Sequence, residues 1–248
     1  MSRLNRDAPH DPYAVLRLPN FRRFCAANVL ASFATAILSV LIGWDLYERT
    51  RSPLILGLVG LVQIIPNLVL AIPAGHYVDR NDPRRVAAVA LGLEGAATAL
   101  IALVSWQRGP LWITFLALFI VGVGRAIKNP TYAPLISGVT EPDLFQNASS
   151  WNGGADHTAA IIGPAVGGLV AAGVGHSAPI FAACAVLLFL AMIAMLSTQI
   201  QQRQRSTEDL SKDALLAGAR FIRKSPIMLG AITLDMFGCA RSQPKVAS

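Results

Sequence analysis

The sequence predicts an all-α transmembrane protein: six helices that cross a membrane, followed by part of a seventh. Of its 248 residues, 54% are hydrophobic and only 14% are charged, whereas about 25% of the residues in a soluble domain are charged. The apolar residues are gathered in segments about as long as the roughly 20 residues that a helix needs to cross the hydrocarbon core. This composition excludes disordered, coiled-coil and collagen-like chains, and it argues against a compact soluble enzyme.

Six apolar segments follow one another along the chain, and few strongly polar residues interrupt them. The third contains Glu94 as its only charged residue, and the fourth carries Arg125 and Lys128 near its end. The fifth is rich in glycine and carries Asp156 and His157. The predicted spans are residues 24–44, 54–75, 86–105, 110–129, 149–174 and 178–198.

The chain after the sixth span divides into a polar connector and a short apolar segment. In the connector, Ser211 can cap an amphipathic helix on the cytoplasmic membrane surface, although a short soluble linker helix fits the same pattern. The apolar segment begins a seventh span with Asp235 inside it, but its roughly 13 apolar residues are too few for a full crossing. The predicted domains are a cytoplasmic N-terminus (1–23), a six-span bundle (24–198), a cytoplasmic connector (199–226), and a partial seventh span with an aberrant tail (227–248).

The positions of Lys and Arg predict the orientation of the chain. The N-terminus, the second loop and the connector together carry 14 of these residues, whereas the first and third loops carry 3. Because Lys and Arg accumulate in cytoplasmic loops, the N-terminus is predicted to be cytoplasmic, in a multi-pass protein of the cell (inner) membrane. The first apolar segment starts too late and is too long for a signal peptide, so it is predicted to be an uncleaved span. Nucleic acid is not an expected partner, since its binding needs basic residues clustered on one exposed face.

The sequence contains no pattern typical of a metal site, a disulfide framework or an ATP-binding loop. The three cysteines, Cys25, Cys184 and Cys239, lie far apart in the chain, which fits neither disulfide nor metal-ligand spacing. A glycine-rich loop ending in Lys-Ser or Lys-Thr does not occur. No cofactor and no metal are therefore expected, and the expected activity is not enzymatic.

The segment between the second and third spans carries Gly75, Asp79, Arg80, Arg84 and Arg85. A glycine at a helix end lets another helix approach closely, and an aspartate there can meet a helix N-terminus and nearby arginines. Such a cluster can hold one end of a helix bundle closed. A charged turn that only sets the topology is the alternative.

This segment, the six spans and the basic connector resemble the first half of a transporter of the major facilitator superfamily. The family's signature at this place is Gly, three residues, Asp, Arg or Lys, then a turn and further basic residues. Asp82 stands where the family often has glycine, and Pro83 stands where it often has a basic residue. The resemblance implies a gating role for the cluster. It also implies a six-helix N-terminal half built from two inverted three-helix repeats.

A second motif lies in the fifth predicted span, where Ala159 is followed by Gly163, Pro164, Gly167 and Gly168. Proline bends a helix, and glycines let a neighbouring helix come close. The pattern Gly-Pro-x-x-Gly-Gly resembles the motif of exporters in the superfamily, which usually have glycine at the place of Ala159. A general glycine-rich packing face is the alternative.

Three shorter segments, residues 44–53, 129–132 and 146–148, add to this resemblance. They are similar to the enterobactin-exporter-like branch, which includes siderophore and multidrug effluxers. The resemblance extends from about residue 18 to about residue 235.

Ionisable residues inside the spans are costly and usually face a partner or a cavity. Arg125 and Asp156 lie at compatible depths and are predicted to form an ion pair; in the alternative, Asp156 is a proton-coupling carboxylate. Glu94 has no partner evident from the sequence and is the better candidate for a titrating site; in the alternative, its helical phase simply points it at a neighbouring span. Gln63 and Asn67, one turn apart in the second span, predict either a polar path or a bond between helices.

The resemblance implies proton-driven export of a small organic molecule, either a siderophore or a drug-like compound, by alternating access around a central cavity. The expected partners are the lipid bilayer, the small-molecule substrate, protons and a second transporter half. One alternative is a truncated fragment that does not transport and only associates with other membrane proteins. A six-helix channel is a weaker alternative, because no re-entrant segment resembles a selectivity filter.

Overall fold

The computed structural model describes residues 13–174 and 176–200. Within these residues the chain forms seven α-helices and three short 3₁₀ helices, and no strand. This architecture confirms the predicted all-α fold class. The predicted connector helix and the partial seventh span lie outside the described residues. The helices are α1 (Pro19–Thr50), α2 (Pro53–Arg80), α3 (Pro83–Trp106), α4 (Leu111–Lys128), α5 (Tyr132–Val139), α6 (Phe145–Val174) and α7 (Ala178–Leu196).

Six segments of the described chain are long and apolar enough to cross a membrane, as predicted. Spans one, two, three and six are the single helices α1, α2, α3 and α7. Pro19, Pro53 and Pro83 open the first three helices, at a position where the missing N–H has no helical partner to lose. Span four combines α4 and α5, and span five is α6 with the turn before it. The bounds of the six spans are Pro19–Thr50, Pro53–Arg80, Pro83–Trp106, Leu111–Val139, Pro142–Gly173 and Ala178–Leu196.

Span four is longer than the sequence predicts. α4 ends at Lys128, a 3₁₀ turn of three residues follows, and α5 continues the span to Val139. Pro130 removes a backbone donor inside that turn without ending the span, because the residues on either side keep right-handed helical dihedrals. The predicted end at residue 129 is therefore wrong. Lys128 lies eleven residues, or about 17 Å at 1.5 Å per residue, from the end of the span.

The contacts between helices repeat when the first three spans are exchanged with the last three. α1 packs along α6, as α2 packs along α4; α1 packs against α7, as α3 packs against α4; and α3 packs against α7. Exchanging span one with four, two with five, and three with six leaves this set unchanged. Such a relation is expected of inverted repeats related by a pseudo-two-fold axis, and it agrees with the predicted pair of three-helix repeats.

α2 and α6 are the spans least covered by the rest of the bundle. Only Pro66, Ala74 and Val78 of α2 are buried, and Ile72 is 85% exposed. On α6, Ile161 is 76% exposed. These two helices occupy equivalent places in the two repeats, so each repeat leaves one apolar helix face open to lipid or to a protein partner.

Candidate functional site

A cavity of about 420 Å³ lies between α1, the middle of span four and α6. Ser32, Arg125, Lys128 and Asp156 contribute its polar wall, and Tyr132 adds an aromatic ring. Small-molecule sites typically enclose roughly 300–1,000 Å³. The cavity therefore has the size of a ligand site, and it brings the predicted residues Arg125 and Asp156 to one place.

Three ionisable residues lie at one depth in the bundle. Glu94 is eleven residues from the start of α3, Lys128 is eleven from the end of α5, and Asp156 is eleven from the start of α6. At 1.5 Å per residue, each lies about 17 Å from the same end of the bundle. A hydrocarbon core is about 30 Å thick, so this depth corresponds to about half of such a crossing.

Asp156 is partly buried in the cavity wall and is held by neutral donors. Asn28 Nδ2 donates to its Oδ1 at 3.0 Å, and Ser32 Oγ donates to the same oxygen at 2.6 Å. Asn152 Nδ2 donates to Oδ2 at 3.4 Å. Within the described chain Asp156 forms no ion pair, so the predicted pair with Arg125 is wrong. The carboxylate instead ties α6 to α1.

Arg125 is bonded to α2 rather than to α6. Its Nη1 donates to Oε1 of Gln63 at 3.0 Å. Of the two roles predicted for Gln63, the structure therefore shows the bond between helices. Gly122 allows α4 to lie close to α2, because a Cβ at this position would lie 2.8 Å from the carbonyl oxygen of Gln63 and 2.6 Å from Cγ of Pro66. α4 and α2 are thus close enough for the guanidinium to reach Gln63.

Glu94 has a partner that the sequence did not indicate. Its oxygens lie 3.0 and 3.1 Å from Nζ of Lys128, and Glu94 is completely buried while the Lys128 side chain is 8% exposed. The pair was missed because span four was predicted to end at residue 129, which placed Lys128 at the membrane boundary. Gly124 lets the helices meet, since a Cβ there would lie 2.6 Å from Cγ of Glu94. Glu94 therefore points at a neighbouring span, as the alternative interpretation of its position predicted.

The polar wall of α1 is a part of the site that the sequence prediction did not include. Asn28, Ser32, Thr35 and Ser39 recur at intervals of three or four residues in an otherwise apolar span. Such spacing places them on one face of a helix, and the last three line the cavity. This polar stripe is the signal by which α1 could have been identified as a cavity helix.

The glycine motif of α6 packs against α1. A Cβ at Gly163 would lie 2.5 Å from Cβ of Ala36, and one at Gly167 would lie 3.3 Å from the carbonyl oxygen of Ile37. Gly168 has no heavy atom within 4 Å of such a Cβ in the described chain. Two of the three glycines therefore permit the close contact between α1 and α6, while the third faces open space.

The turn between α2 and α3 is built by the two residues that depart from the family pattern. Asp82 is the N-cap of α3, and its carboxylate accepts from the backbone N–H of Arg84 at 3.0 Å. Pro83 occupies the first position of the helix, where proline is favoured. Asp82 also lies 3.8 Å from Nε of Arg84 and 3.7 Å from Nε of Arg85. The two residues that differ from the family pattern thus begin the helix of the third span.

Two arginines cap the end of α7. Nη1 of Arg84 donates to the carbonyl oxygen of Thr198 at 3.0 Å and to that of Leu196 at 3.5 Å. Nη1 of Arg23 donates to the carbonyl oxygen of Ser197 at 3.0 Å. The last carbonyls of a helix have no partner within the helix, and cations are favoured there. Arg84, predicted as a gating residue, therefore holds the end of the sixth span within the bundle.

The other predicted gating residues lie at the same end of the bundle. Asp79 and Arg80 are exposed on the last turn of α2. Gly75 is partly buried, and a Cβ there would meet no heavy atom within 4 Å in the described chain. Within the described residues, no helix makes the close approach to Gly75 that the resemblance implies.

A second polar cluster lies at the opposite end of the bundle. Ser105 Oγ donates to Oδ1 of Asp45 at 2.8 Å, and Arg49 Nη1 lies 3.6 Å from Oδ2 of the same carboxylate. Arg49 also donates to the carbonyl oxygen of Gly109. These contacts join the end of α1 to the end of α3 and to the loop that follows it.

Six apolar spans with a repeated pattern of helix contacts, and charged groups around a cavity midway along the spans, are typical of a multi-pass membrane protein of the transporter class. The sequence of residues 24–241, which is most of the chain, matches the family model of the Major Facilitator Superfamily. The chain therefore belongs to the Major Facilitator Superfamily, as the motifs predicted.

The chain is also similar to three individual members of the superfamily. Over 151 residues it is 24% identical to macrolide efflux protein A of Streptococcus pyogenes, covering 60% of this chain and 37% of the relative. It is 30% identical over 161 residues to the multidrug efflux pump Tap of Mycobacterium tuberculosis, covering 60% and 37%. It is 21% identical over 175 residues to the staphyloferrin A transporter of Staphylococcus aureus, covering 70% and 44%. The chain thus spans about two fifths of the length of the curated relatives it matches.

Proposed function

We propose that this chain takes part in exporting a small organic molecule across the cell (inner) membrane by alternating access. The observation that carries the proposal is the cavity of about 420 Å³ that α1, span four and α6 form around Arg125, Lys128 and Asp156. Charged residues inside a membrane span commonly mark a substrate or ion path. In transporters built from inverted repeats, the substrate site lies near the bilayer midplane, and Asp156 lies near that depth.

The proposed direction is outward. Two of the three relatives carry efflux in their names. The motif of Gly163, Pro164 and Gly167 resembles that of exporters, and it packs tightly against α1. A closely packed helix pair beside the cavity would restrict leakage while the cavity changes its exposure.

Coupling to protons is assigned to Asp156 in this proposal. Its carboxylate lines the cavity, and its hydrogen-bond partners are the neutral side chains of Asn28, Ser32 and Asn152. Glu94 is less suited, because it is sealed from the cavity and already neutralised by Lys128. A carboxylate with neutral partners can exchange a proton without breaking an ion pair.

The proposed working unit includes a second set of spanning helices beside this bundle. The open faces of α2 and α6, with Ile72 and Ile161 among their most exposed residues, favour such a neighbour. In this arrangement Gly75 and Asp79 would meet a helix of the second half and close the cytoplasmic side, and the N-terminus would be cytoplasmic.

The test is export from an efflux-deficient bacterial host that expresses residues 1–248. A panel of a cationic dye, a zwitterionic fluoroquinolone and a carboxylate siderophore covers the substrate classes. We expect export of at least one compound above the empty-vector level, abolished by a protonophore and by Asp156→Asn. Asp143→Asn is the matched control, because Asp143 is exposed in the turn before α6.

Two results would contradict the proposal in different ways. Export that persists under the protonophore, or in Asp156→Asn, would remove the proton-coupling role of Asp156. Export no greater than the empty vector, with the protein present in the membrane, would favour the alternative of a bundle that associates with other membrane proteins without transporting.

A further inference from the structure

We propose that the cavity selects zwitterionic ligands, with Asp156 receiving the positively charged group and Arg125 the negatively charged group. This inference rests on the proposed function and names the substrate class of the same site. Its basis is the distribution of charge among four charged residues in and around the cavity: Glu94, Arg125, Lys128 and Asp156.

Only two of these four charges are neutralised by a neighbour. Glu94 and Lys128 lie within 3.1 Å of each other and are almost completely buried, so they present no net charge to a ligand. Asp156 is bonded to an amide and a hydroxyl of α1, and Arg125 is bonded to the amide of Gln63. In the described chain, neither Asp156 nor Arg125 has an oppositely charged partner within 4.0 Å.

The two unmatched charges belong to different walls of one cavity. Asp156 is fixed on the wall of α6 and α1, whereas Arg125 is fixed by α2 on the wall of span four. These hydrogen bonds hold the two side chains toward different helices. A carboxylate and a guanidinium in one cavity favour a ligand that carries both opposite charges, because a singly charged ligand leaves one of them unmatched.

Each side chain also keeps atoms free for a ligand. Oδ1 of Asp156 accepts two short hydrogen bonds, whereas Oδ2 has the longer contact of 3.4 Å with Asn152. On Arg125, Gln63 takes Nη1, and within the described chain Nη2 and Nε have no acceptor. Hydrogen bonds between charged groups are about twice as strong as neutral ones, so both free positions favour ionic ligand groups.

The test uses three fluorescent probes of similar size: dansyl-lysine, which is zwitterionic, dansyl-cadaverine, which is cationic, and dansyl-aminocaproic acid, which is anionic. Binding is measured by fluorescence titration of the full chain in lipid nanodiscs at neutral pH, with empty nanodiscs as the blank. We expect the zwitterion to bind about tenfold more tightly than either singly charged probe, as one additional charge-assisted hydrogen bond would give.

Two variants test which side chain binds which charged group of the zwitterion. In Asp156→Asn, the Kd of the zwitterion should rise to that of the anionic probe, because the partner of its ammonium is gone. In Arg125→Gln, the Kd of the zwitterion should rise to the Kd of the cationic probe, because the partner of its carboxylate is gone. Asp143→Asn and Arg108→Gln, both exposed outside the cavity, should keep the preference of the unmodified chain.

The preference of the unmodified chain is decisive even if a variant fails to fold. Equal affinity for the three probes, or binding of none of them, would overturn the selection of zwitterions. In that case, export of the cationic dye would still support the proposed function. A retained zwitterion preference without any export would support the site and contradict the transport function. A preference that survives both variants would overturn the roles of Asp156 and Arg125.

Discussion

Two carboxylates at the same depth of the bundle have opposite surroundings. Glu94 is sealed against the ammonium of Lys128, whereas Asp156 lines a cavity and accepts from an amide and a hydroxyl. Removing one partner of a buried ion pair leaves the other charge without compensation, and that is strongly destabilising. We therefore expect Glu94 to act on stability and Asp156 to act on ligands and protons.

Neutralising one member of the Glu94–Lys128 pair is expected to destabilise the bundle. Glu94→Gln leaves a buried ammonium and Lys128→Met leaves a buried carboxylate, and breaking a buried pair in this way costs roughly 3–5 kcal/mol. The double variant should recover much of the loss. The unfolding temperature in detergent and the amount of folded protein in the membrane measure the effect.

The same double-mutant cycle on Asp156→Asn and Arg125→Gln provides the control. These two residues share a cavity but form no ion pair in the described chain, so the double variant should recover less of the loss than in the Glu94–Lys128 cycle. Equal recovery in the two cycles, or simple addition in the Glu94–Lys128 cycle, would contradict the pairing that the structure shows.

At the scale of elements, small residues decide how closely the helices approach. Gly163 and Gly167 lie against α1, and Gly122 lies against α2. In lipid, close packing replaces the hydrophobic effect as the force between helices. The contact of α6 with α1 positions Asp156 beside Asn28, so the glycine motif also shapes the cavity.

Adding one methyl group to α6 should lower the stability of the bundle at one glycine but not at another. Gly163→Ala places a Cβ 2.5 Å from Cβ of Ala36, and such overpacking costs roughly 1–3 kcal/mol. Gly168→Ala meets no atom within 4 Å in the described chain, so the unfolding temperature should stay the same or rise, because alanine favours the helix. Equal losses from both changes would show that the tight contact at Gly163 is not the cause.

The cap on α7 allows the structural role of Arg84 to be separated from gating. Arg84→Gln should speed the backbone hydrogen exchange of residues 193–200, because the last carbonyls of α7 lose their donor. Arg85→Gln is the matched control, since that side chain is 77% exposed and its ion pair is with Asp82. Unchanged exchange in Arg84→Gln would indicate that the arginine does not hold this helix end.

At the scale of the whole molecule, the distribution of Lys and Arg predicts which end faces the cytoplasm. The end that carries Arg23 and Arg84 also holds the start of α1 and the end of α7. The opposite end carries the Asp45–Arg49 cluster and few other cations. Among the described residues outside the predicted spans, six arginines lie at the first end and three at the other: Arg17, Arg22, Arg23, Arg80, Arg84 and Arg85, against Arg49, Arg51 and Arg108.

Cysteine labelling in intact cells tests this orientation. With Cys25, Cys184 and Cys239 replaced, a single cysteine at Gln107 should react with an impermeant thiol reagent, because this exposed residue is predicted to lie outside. A single cysteine at Arg85 should react only after permeabilisation. Labelling of the second position in intact cells would reverse the topology.

The sequence by itself determined the six spans of the described residues and their approximate places. A crossing needs about 20 apolar residues in a row, and this is a local property that can be counted along the chain. The motifs around Gly75 and Gly163 are also local, so the superfamily could be identified from them. The end of span four was the largest error, because the prediction ended at Asn129, whereas the structure carries helical backbone through Pro130 to Val139.

Only the tertiary structure decided which charges meet. Whether Lys128 reaches Glu94 or Asp156 depends on the depth and rotation of three helices, and the extension of span four sets that depth. Two of the three hydrogen-bond partners of Asp156, Asn28 and Ser32, come from α1, more than a hundred residues earlier in the chain. No local pattern specifies such a contact, because hydrogen bonds and ion pairs depend on distances of a few ångströms between helices that the sequence does not order.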